Sequence, residues 1–362
     1  VTETTTILRQ ELEAQRVISF ARFMQLALYC PNSGYYEQTE RRIGRTGDFF
    51  TSVSVGPLFG RLLAFQFAHW LLALGAREVT EAGAHNGQLA ADILGWLREA
   101  RPGLFEQLRY RIIEPSASRR AWQQAKLADF AGHVEWVEDL PRLPARSWDG
   151  VMFANELLDA FPVHRLAWDA GGQRWREWGV ALERDQHVWR FMPEDAPAVW
   201  AEELAAAGLE VPPELRAVLP DGFLVELAPT ARQWWREAAV TLPRGKLLTL
   251  DYGLTAEERL RPERAQGTLR AYRAHRVASD LLAAPGEQDL TAHVNFTQLQ
   301  AAGEAAGLRT DGFVGQTQFL TEVAREFWRE APPTEHEVRQ FQTLTHPEHL
   351  GRAFRVLIQS RA

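Results

Sequence analysis

The chain has 362 residues, enough for one large domain with insertions or for two domains. Its 40 basic and 47 acidic side chains leave a net charge of −7, which excludes a global basic field able to recruit nucleic acid or an anionic membrane. Cys30 is the single cysteine and no apolar run reaches the roughly 18 residues of a membrane span, so internal disulfides, CxxC metal chemistry and a transmembrane helix are excluded.

In chain order, residues 1–18 are polar and lack the basic-then-apolar order of a signal peptide. Residues 8–29 carry apolar side chains at helical spacing (Val17, Phe20, Phe23, Met24, Ala27, Leu28), and Pro31-Asn-Ser-Gly34 stops the predicted helix. A loop rich in Gly, Thr and Asp follows at 44–52, and after Pro57 an apolar helix is predicted to about Leu74. Strands then alternate with helices: strand 77–82, helix 87–100, strand 109–114, helix 116–128, strand 133–137 and strand 149–154. Short crossovers between four consecutive strands predict an α/β fold with a parallel sheet, its ligand edge at the strand carboxyl ends.

The alternation breaks at Pro162. Residues 163–192 alternate as strands around a Gly171-Gly172 turn and predict a β-hairpin insertion carrying Trp168, Trp175, Trp178 and Trp189, which suits a cleft cover, core packing or a protein-docking face. A helix at 196–207 precedes Phe223–Leu227, where the sheet is expected to resume, then helix 229–240 and the strand Lys246–Gly253 through Asp251. Residues 254–293 read as polar loop, followed by a helix at 296–306, strands near 308–320 and helices in the remainder. These segments divide into an N-terminal helical and loop region (1–75), a core (76–330) with an insertion at about 163–220, and a C-terminal helical segment (331–362).

The stretch Val79-Thr-Glu81-Ala-Gly83-Ala-His85-Asn-Gly87-Gln-Leu89 carries the most chemistry. A strand ends in an acid, glycines follow, and a helix begins, which is how doubly wound proteins bring backbone close to a nucleotide-like cofactor. A dehydrogenase would need G-x-G-x-x-G, with the pyrophosphate on the helix dipole. Here the acid precedes the glycines, a charge placement that suits the ammonium of a methionine moiety and favours S-adenosylmethionine. Glycines are common in any strand-to-helix turn, so the second acid matters: Glu114, at the end of strand 109–114, can accept from both ribose hydroxyls. At the fourth strand, Asn155-Glu156-Leu-Leu-Asp159 puts polar groups where a transferred methyl would sit; Glu156 and Asp159 share a face if that turn is helical. Asn155 and Asp159 as mere caps of the next segment is the plainer alternative.

Six blocks in order match one family. Gly47-Asp48-Phe49-Phe50-Thr51-Ser52 with Phe59-Gly60, the Glu81/Gly83/Gly87/Leu89 pattern, Asn155-Glu156-Leu-Leu-Asp159-Ala-Phe-Pro162-Val, Asp251-Tyr252-Gly253, Gly267-Thr268-Leu269-Arg270-Ala-Tyr272 and Pro285-Gly286-x-x-Asp289-Leu-Thr291-Ala-His293-Val resemble the MidA-like methyltransferases, over roughly residues 15–325. The family includes the mitochondrial protein-arginine methyltransferase that assists assembly of respiratory complex I. The resemblance implies a seven-stranded Rossmann-like class I methyltransferase sheet, S-adenosyl-L-methionine as donor, and arginine in a protein, a respiratory complex subunit among the candidates, as acceptor. The chain departs from the family in having His85 where glycine is usual, Val53-Ser54 where Pro-Glu is usual, and Asn295 where aspartate is common.

On that resemblance Glu81 faces the amino-acid end of the cofactor, Glu114 the ribose, and Asp139 or Leu140 the adenine. Gly83, Gly87 and Thr51 join the cofactor site, with the His85 imidazole beside the carboxypropyl arm. The reaction is in-line displacement at the sulfonium methyl, for which the cofactor carries its own activation and no metal is called for. Guanidinium is a poor nucleophile at a pKa above about 12, so carboxylates must localise its charge and take a proton: Glu156 and Asp159 first, with Asn155 beside them and Asp48 as a lid-side partner. His293 with Asp289 suits either a general base or a loop brace. A small-molecule methyltransferase and a catalytically silent assembly factor remain the alternatives. A reducing compartment and 38 arginines against Lys126 and Lys246 alone, a bias of GC-rich codon usage, suggest a bacterial cytoplasm; a homodimer is left open.

Overall fold

A computed structural model describes the chain except for residues 1, 39–50, 141–148, 194–196, 274–275, 347–349 and 352, and the side chains of 197–199. The chain divides into two compact units, one of residues 1–39, 159–233 and 253–301, the other of residues 40–158, 234–252 and 302–362.

The second unit holds the large sheet. Its strands are, in chain order, β1 (Glu78–Ala82), β2 (Arg109–Ile113), β3 (Val134–Val137), β4 (Asp149–Asn155), β5 (Arg244–Leu254), β6 (Arg309–Gly315) and β7 (Phe354–Arg361). They lie in the order β6-β7-β5-β4-β1-β2-β3. All neighbours are parallel except β7, which runs antiparallel between β5 and β6. Residues 150–154 of β4 are buried on both faces, so the strand reads as an uninterrupted apolar run rather than an alternation, as a parallel sheet covered by helices requires.

One face carries the main apolar core. Helices Leu58–Leu74, Gln88–Ala100 and Gln316–Glu330 pack there on Val79, Tyr110, Ile112, Val151, Phe153, Leu248 and Val356. The first of these stops at Gly75, whose left-handed conformation (φ +66) lets its N–H reach back to the carbonyls of Leu71 and Leu72. The opposite face is pinned by a polar contact: buried Trp235 donates its indole N–H to Gln359 on β7 at 2.8 Å, and the Gln359 amide donates in turn to Thr310 at 3.0 Å. Gly303 leaves room for that amide, since a methyl group there would stand 1.8 Å from Gln359 Oε1.

The first unit has a five-stranded antiparallel sheet, built from Val17–Ser19, Arg174–Glu183, His164–Asp169 and Leu224–Leu227, with Gln186–Phe191 paired to the long strand. A three-stranded sheet (Arg276–Ala278, Arg270–Arg273, Asp289–Thr291) lies in the same unit. The two final residues of β5, Gly253 and Leu254, pair in parallel with Val294 and Asn295.

Four expectations of secondary structure and strand pairing change. The helix over 8–29 is two helices, Glu3–Gln15 and Phe20–Tyr29. Arg16, at φ +63, ends the first; β-branched Val17 and Ile18 pair with Ala181 and Val180; and Ser19 caps the second by accepting from the Arg22 N–H. The segment near Phe223 does not resume the large sheet: Leu224–Leu227 pairs antiparallel with His164–Asp169. Of the strands near 308–320 only β6 exists, and Gln316–Glu330 is helical. The chain end is not all helix, because Phe354–Arg361 satisfies its backbone groups between two strands distant in sequence. Helix Leu58–Leu74, in the N-terminal region by sequence, belongs to the unit with the large sheet.

Helix propensity alone would make Gly303→Ala stabilising by about 1 kcal/mol. Displacing the buried Gln359 amide from Trp235 and Thr310 outweighs this, and a net loss of about 1–3 kcal/mol is expected. Urea denaturation of the variant checks the sign.

Candidate active site

The parallel ladder continues one residue past three of its strands. Gly83 N–H donates to Ile113 O at 3.3 Å, Glu114 N–H to Val137 O at 2.9 Å, and Glu156 N–H to Leu250 O at 3.0 Å. Ala82 stands opposite both Ile113 and Ala154, so the ends of β1, β2 and β4 emerge side by side at the carboxyl edge, the edge at which open α/β sheets bind ligands.

Glu81 lies two residues inside that edge and is buried. Its Oε2 accepts from the Tyr110 hydroxyl at 2.6 Å. Burial raises its pKa to about 7, the Tyr110 hydrogen bond opposes the rise, and Asp92 adds to it. Beyond it the loop 83–87 turns through three left-handed residues: Gly83 (φ +73), His85 (φ +46) and Gly87 (φ +81). The space over Gly83 belongs to Leu157, whose Cδ1 would be 2.7 Å from an added methyl. Gly87 faces the backbone of Gln123 and the side chain of Leu127, and its left-handed conformation starts helix Gln88–Ala100. His85 accepts that conformation at a cost of roughly 1–2 kcal/mol relative to glycine. Burial first, then the Arg119 guanidinium, lower its imidazole pKa to about 4, so it is neutral at pH 7 and can hydrogen-bond without adding charge.

Glu114 is fully buried. Its Oε1 accepts from Ser116 N–H at 3.0 Å and lies 3.1 Å from Arg119 Nε; its Oε2 accepts from Gln123 Nε2 at 3.1 Å. Gln123, which the sequence reading missed, also donates to His85 O at 2.9 Å and accepts from the Trp136 indole at 2.9 Å. One amide thereby ties the loop after β1, the end of β2 and β3. Nothing in the sequence of helix Ala117–Lys126 distinguishes it; only packing shows Gln123 to be buried there. Asp139 and Leu140 follow β3, Leu140 buried and Asp139 partly so.

At the end of β4, Glu156 adopts φ +50. Its Oε1 accepts from Ser52 N–H at 3.2 Å and from Asn155 Nδ2 at 3.4 Å. Thr51 accepts from Ser54 N–H at 3.2 Å while Ser54 Oγ accepts from Thr51 N–H at 3.0 Å, a closed turn that presents the Ser52 amide to Glu156. Buried Asp251, in the Asp251-Tyr252-Gly253 block, had no role in the sequence reading; its Oδ2 accepts from the N–H groups of Leu157 (3.2 Å) and Leu158 (2.9 Å), and its Oδ1 from Tyr252 N–H (2.8 Å).

Glu156 and Asp159 do not share a helical face, because only Leu158–Ala160 makes a single 3-10 turn and Glu156 is left-handed. Asp159 falls in the first unit, where its carbonyl accepts from Ala292 N–H and its carboxylate helps raise the pKa values of Tyr36 and Tyr272. Asp48 lies outside the described residues. In the same first unit, Asp289 accepts from the Tyr36 hydroxyl at 2.7 Å. His293 is lowered to about 3 by burial and by Arg259, Arg264 and Arg270, so it is a weak base; its N–H donates to Thr268 Oγ1 and its carbonyl accepts from Arg259, the contacts of a loop brace. The tryptophans of the insertion are engaged in ring contacts: Trp168 edge-on to Trp175, Trp178 stacked on Phe191, and Trp189 tilted against Phe20.

The donor set fits a cationic nucleoside. Asn155 Oδ1 is a buried acceptor with no hydrogen-bond donor among the described residues, which suits an ammonium, and the Glu114 carboxylate, at the strand end on the other side of β1, suits hydroxyl donors.

The model of a family described as S-adenosyl-L-methionine-dependent methyltransferases matches residues 62–314. Human mitochondrial protein arginine methyltransferase NDUFAF7 is 26% identical over 386 residues, covering 96% of this chain and 81% of its own. The Drosophila melanogaster homologue is 24% identical, covering 97% and 83%. Among solved structures, a Burkholderia thailandensis protein described as a methyl transferase and bound to S-adenosyl-homocysteine is 32% identical, with a TM-score of 0.85 over 99% of this chain and 92% of that one.

Glu81 makes stability depend on pH. Unfolded, it ionises at the ordinary carboxylate value of 4.5; folded, it keeps its proton to about pH 7. Stability therefore falls as pH rises from about 4.5 to 7, by an amount on the order of 3 kcal/mol, and levels off above. Glu81→Gln is expected to abolish that fall, so that the variant gains on the parent at pH 8 but not at pH 4; denaturant midpoints at the two pH values measure it.

Proposed function

Because the chain belongs to the S-adenosyl-L-methionine-dependent methyltransferase family, we propose that this methyltransferase modifies a protein side chain, with arginine as the acceptor. Glu156 carries the reading. It is a carboxylate at the tip of β4, held by the Ser52 amide and the Asn155 side chain. A guanidinium needs such a group: its lone pairs are delocalised and its pKa lies above about 12, so a carboxylate must bind the remaining N–H groups, concentrate nucleophilicity on one nitrogen and receive a proton. The mitochondrial relatives named as protein arginine methyltransferases, aligned over 96% of the chain, support the same acceptor class, and the net charge of −7 favours a basic segment at long range. A respiratory complex subunit is the acceptor protein that the resemblance to the MidA-like proteins implies.

The cofactor supplies a methyl group already activated on a sulfonium. In this proposal the chain supplies alignment, which is worth up to roughly 7–11 kcal/mol of barrier. Glu114 holds the ribose, with Asp139 and Leu140 toward the adenine. Glu81, His85 and the backbone at Gly83 and Gly87 surround the amino-acid end, and Thr51 shapes the turn above Glu156.

Incubation of the purified protein with methyl-tritiated cofactor and cell extract is expected to label protein, and acid hydrolysis to yield methylarginine. Glu156→Gln is expected to slow transfer by about 10²–10⁴-fold while leaving calorimetric affinity for S-adenosylhomocysteine within about threefold. Label confined to small molecules would point to the small-molecule reading. Absence of cofactor binding at millimolar concentration would point to a silent fold.

A further inference from the structure

We propose that Asp251 is a positioning residue for methyl transfer, which sets the backbone conformation of Glu156. The proposal rests on the reading of Glu156 given above and adds a residue with no assigned role.

The geometry is specific. Asp251 is fully buried on β5, beside β4. Its Oδ2 takes both amides that follow Glu156, at 3.2 Å from Leu157 and 2.9 Å from Leu158, while Oδ1 takes Tyr252 N–H at 2.8 Å. The Glu156 amide is committed to Leu250 O at 3.0 Å on the same strand. Three consecutive N–H groups, of residues 156, 157 and 158, are therefore all received by the neighbouring residues Leu250 and Asp251. A chain whose successive amides converge on one short segment must turn sharply, and here Glu156 takes the left-handed conformation (φ +50). A non-glycine residue holds that conformation only where its surroundings over-determine it; the Asp251 carboxylate is that surrounding. The same turn aims Leu157 at Gly83, where its Cδ1 fills the space a side chain would need. One buried carboxylate thus fixes the backbone that carries the acceptor-side acid.

Asp251→Asn is isosteric but cannot present two acceptor oxygens. Its amide N–H would oppose either the Leu157 and Leu158 pair or Tyr252. If Asp251 acts through Glu156, the variant keeps its thermal transition and binds S-adenosylhomocysteine within about threefold of the parent, while kcat for tritium transfer into cell-extract protein falls by at least about tenfold at an unchanged KM for the cofactor. Hydrogen exchange at the Leu157 and Leu158 amides accelerates by about tenfold or more. The decisive arm is the double variant D251N/E156Q. Its rate equals that of E156Q alone, because removing the positioned group leaves nothing for Asp251 to position. Additive losses in the double variant, or full activity in D251N beside an inactive E156Q, overturn the proposal and leave the reading of Glu156 standing. Full activity in E156Q overturns that reading and this one with it. Should D251N fail to fold, Asp251→Ser, which keeps one acceptor without an opposing amide N–H, is read in the same way.

Discussion

Three backbone hydrogen bonds at the carboxyl edge of the large sheet underlie everything the site does. They hold Gly83, Glu114 and Glu156 to the strands beside them, one residue beyond the last regular pair of β1, β2 and β4. A residue at that position is still anchored by the ladder, yet its successor is free to turn. Side chains placed there are therefore fixed by the most rigid part of the fold while facing the open edge. The sheet does not need to be polar to carry a polar site; it needs only to end in the right residues.

The buried carboxylates of this unit are distinguished by what meets them. Glu81 meets one phenol in a buried setting, with the Asp92 charge adding to burial, and its proton is retained toward neutrality. Glu114 meets a backbone amide, a side-chain amide and a guanidinium. Asp251 meets three backbone amides. Glu156 meets the amide of Ser52, brought up by a turn that Thr51 and Ser54 close between themselves. In sequence these are four acids at four strand ends; Glu114 alone draws its named partners from the helix that follows it. The partners that give each its character come from 29 residues away for Glu81 and 104 for Glu156.

The strand–loop–helix at 79–89 and the helix after Glu114 were legible because each is local: β-branched runs, glycines where the backbone must turn left-handed, and Ser116 as a cap. The helix predicted over 8–29 failed for the opposite reason. Val17 and Ile18 fit a helical stripe, but a strand at 179–181 offered them pairing that no window of sequence reveals. The chain end failed likewise, since an antiparallel strand between β5 and β6 is specified by its neighbours. The residues 156–160, which the spacing of two acids suggested as one helical face, are split by the left-handed Glu156, whose conformation is set by Asp251 from the next strand.

Composition, the alternation of strands and helices, and the order of the motif blocks determined the class of protein, an α/β methyltransferase. Those properties follow from side-chain type and spacing along one segment. Which acid keeps its proton, which one supports the backbone, why Gly83 lacks a side chain and why Gln123 is buried were decided by tertiary structure alone. Each depends on a desolvated contact between segments far apart in sequence, and the strength of such a contact comes from the burial that only the folded molecule creates.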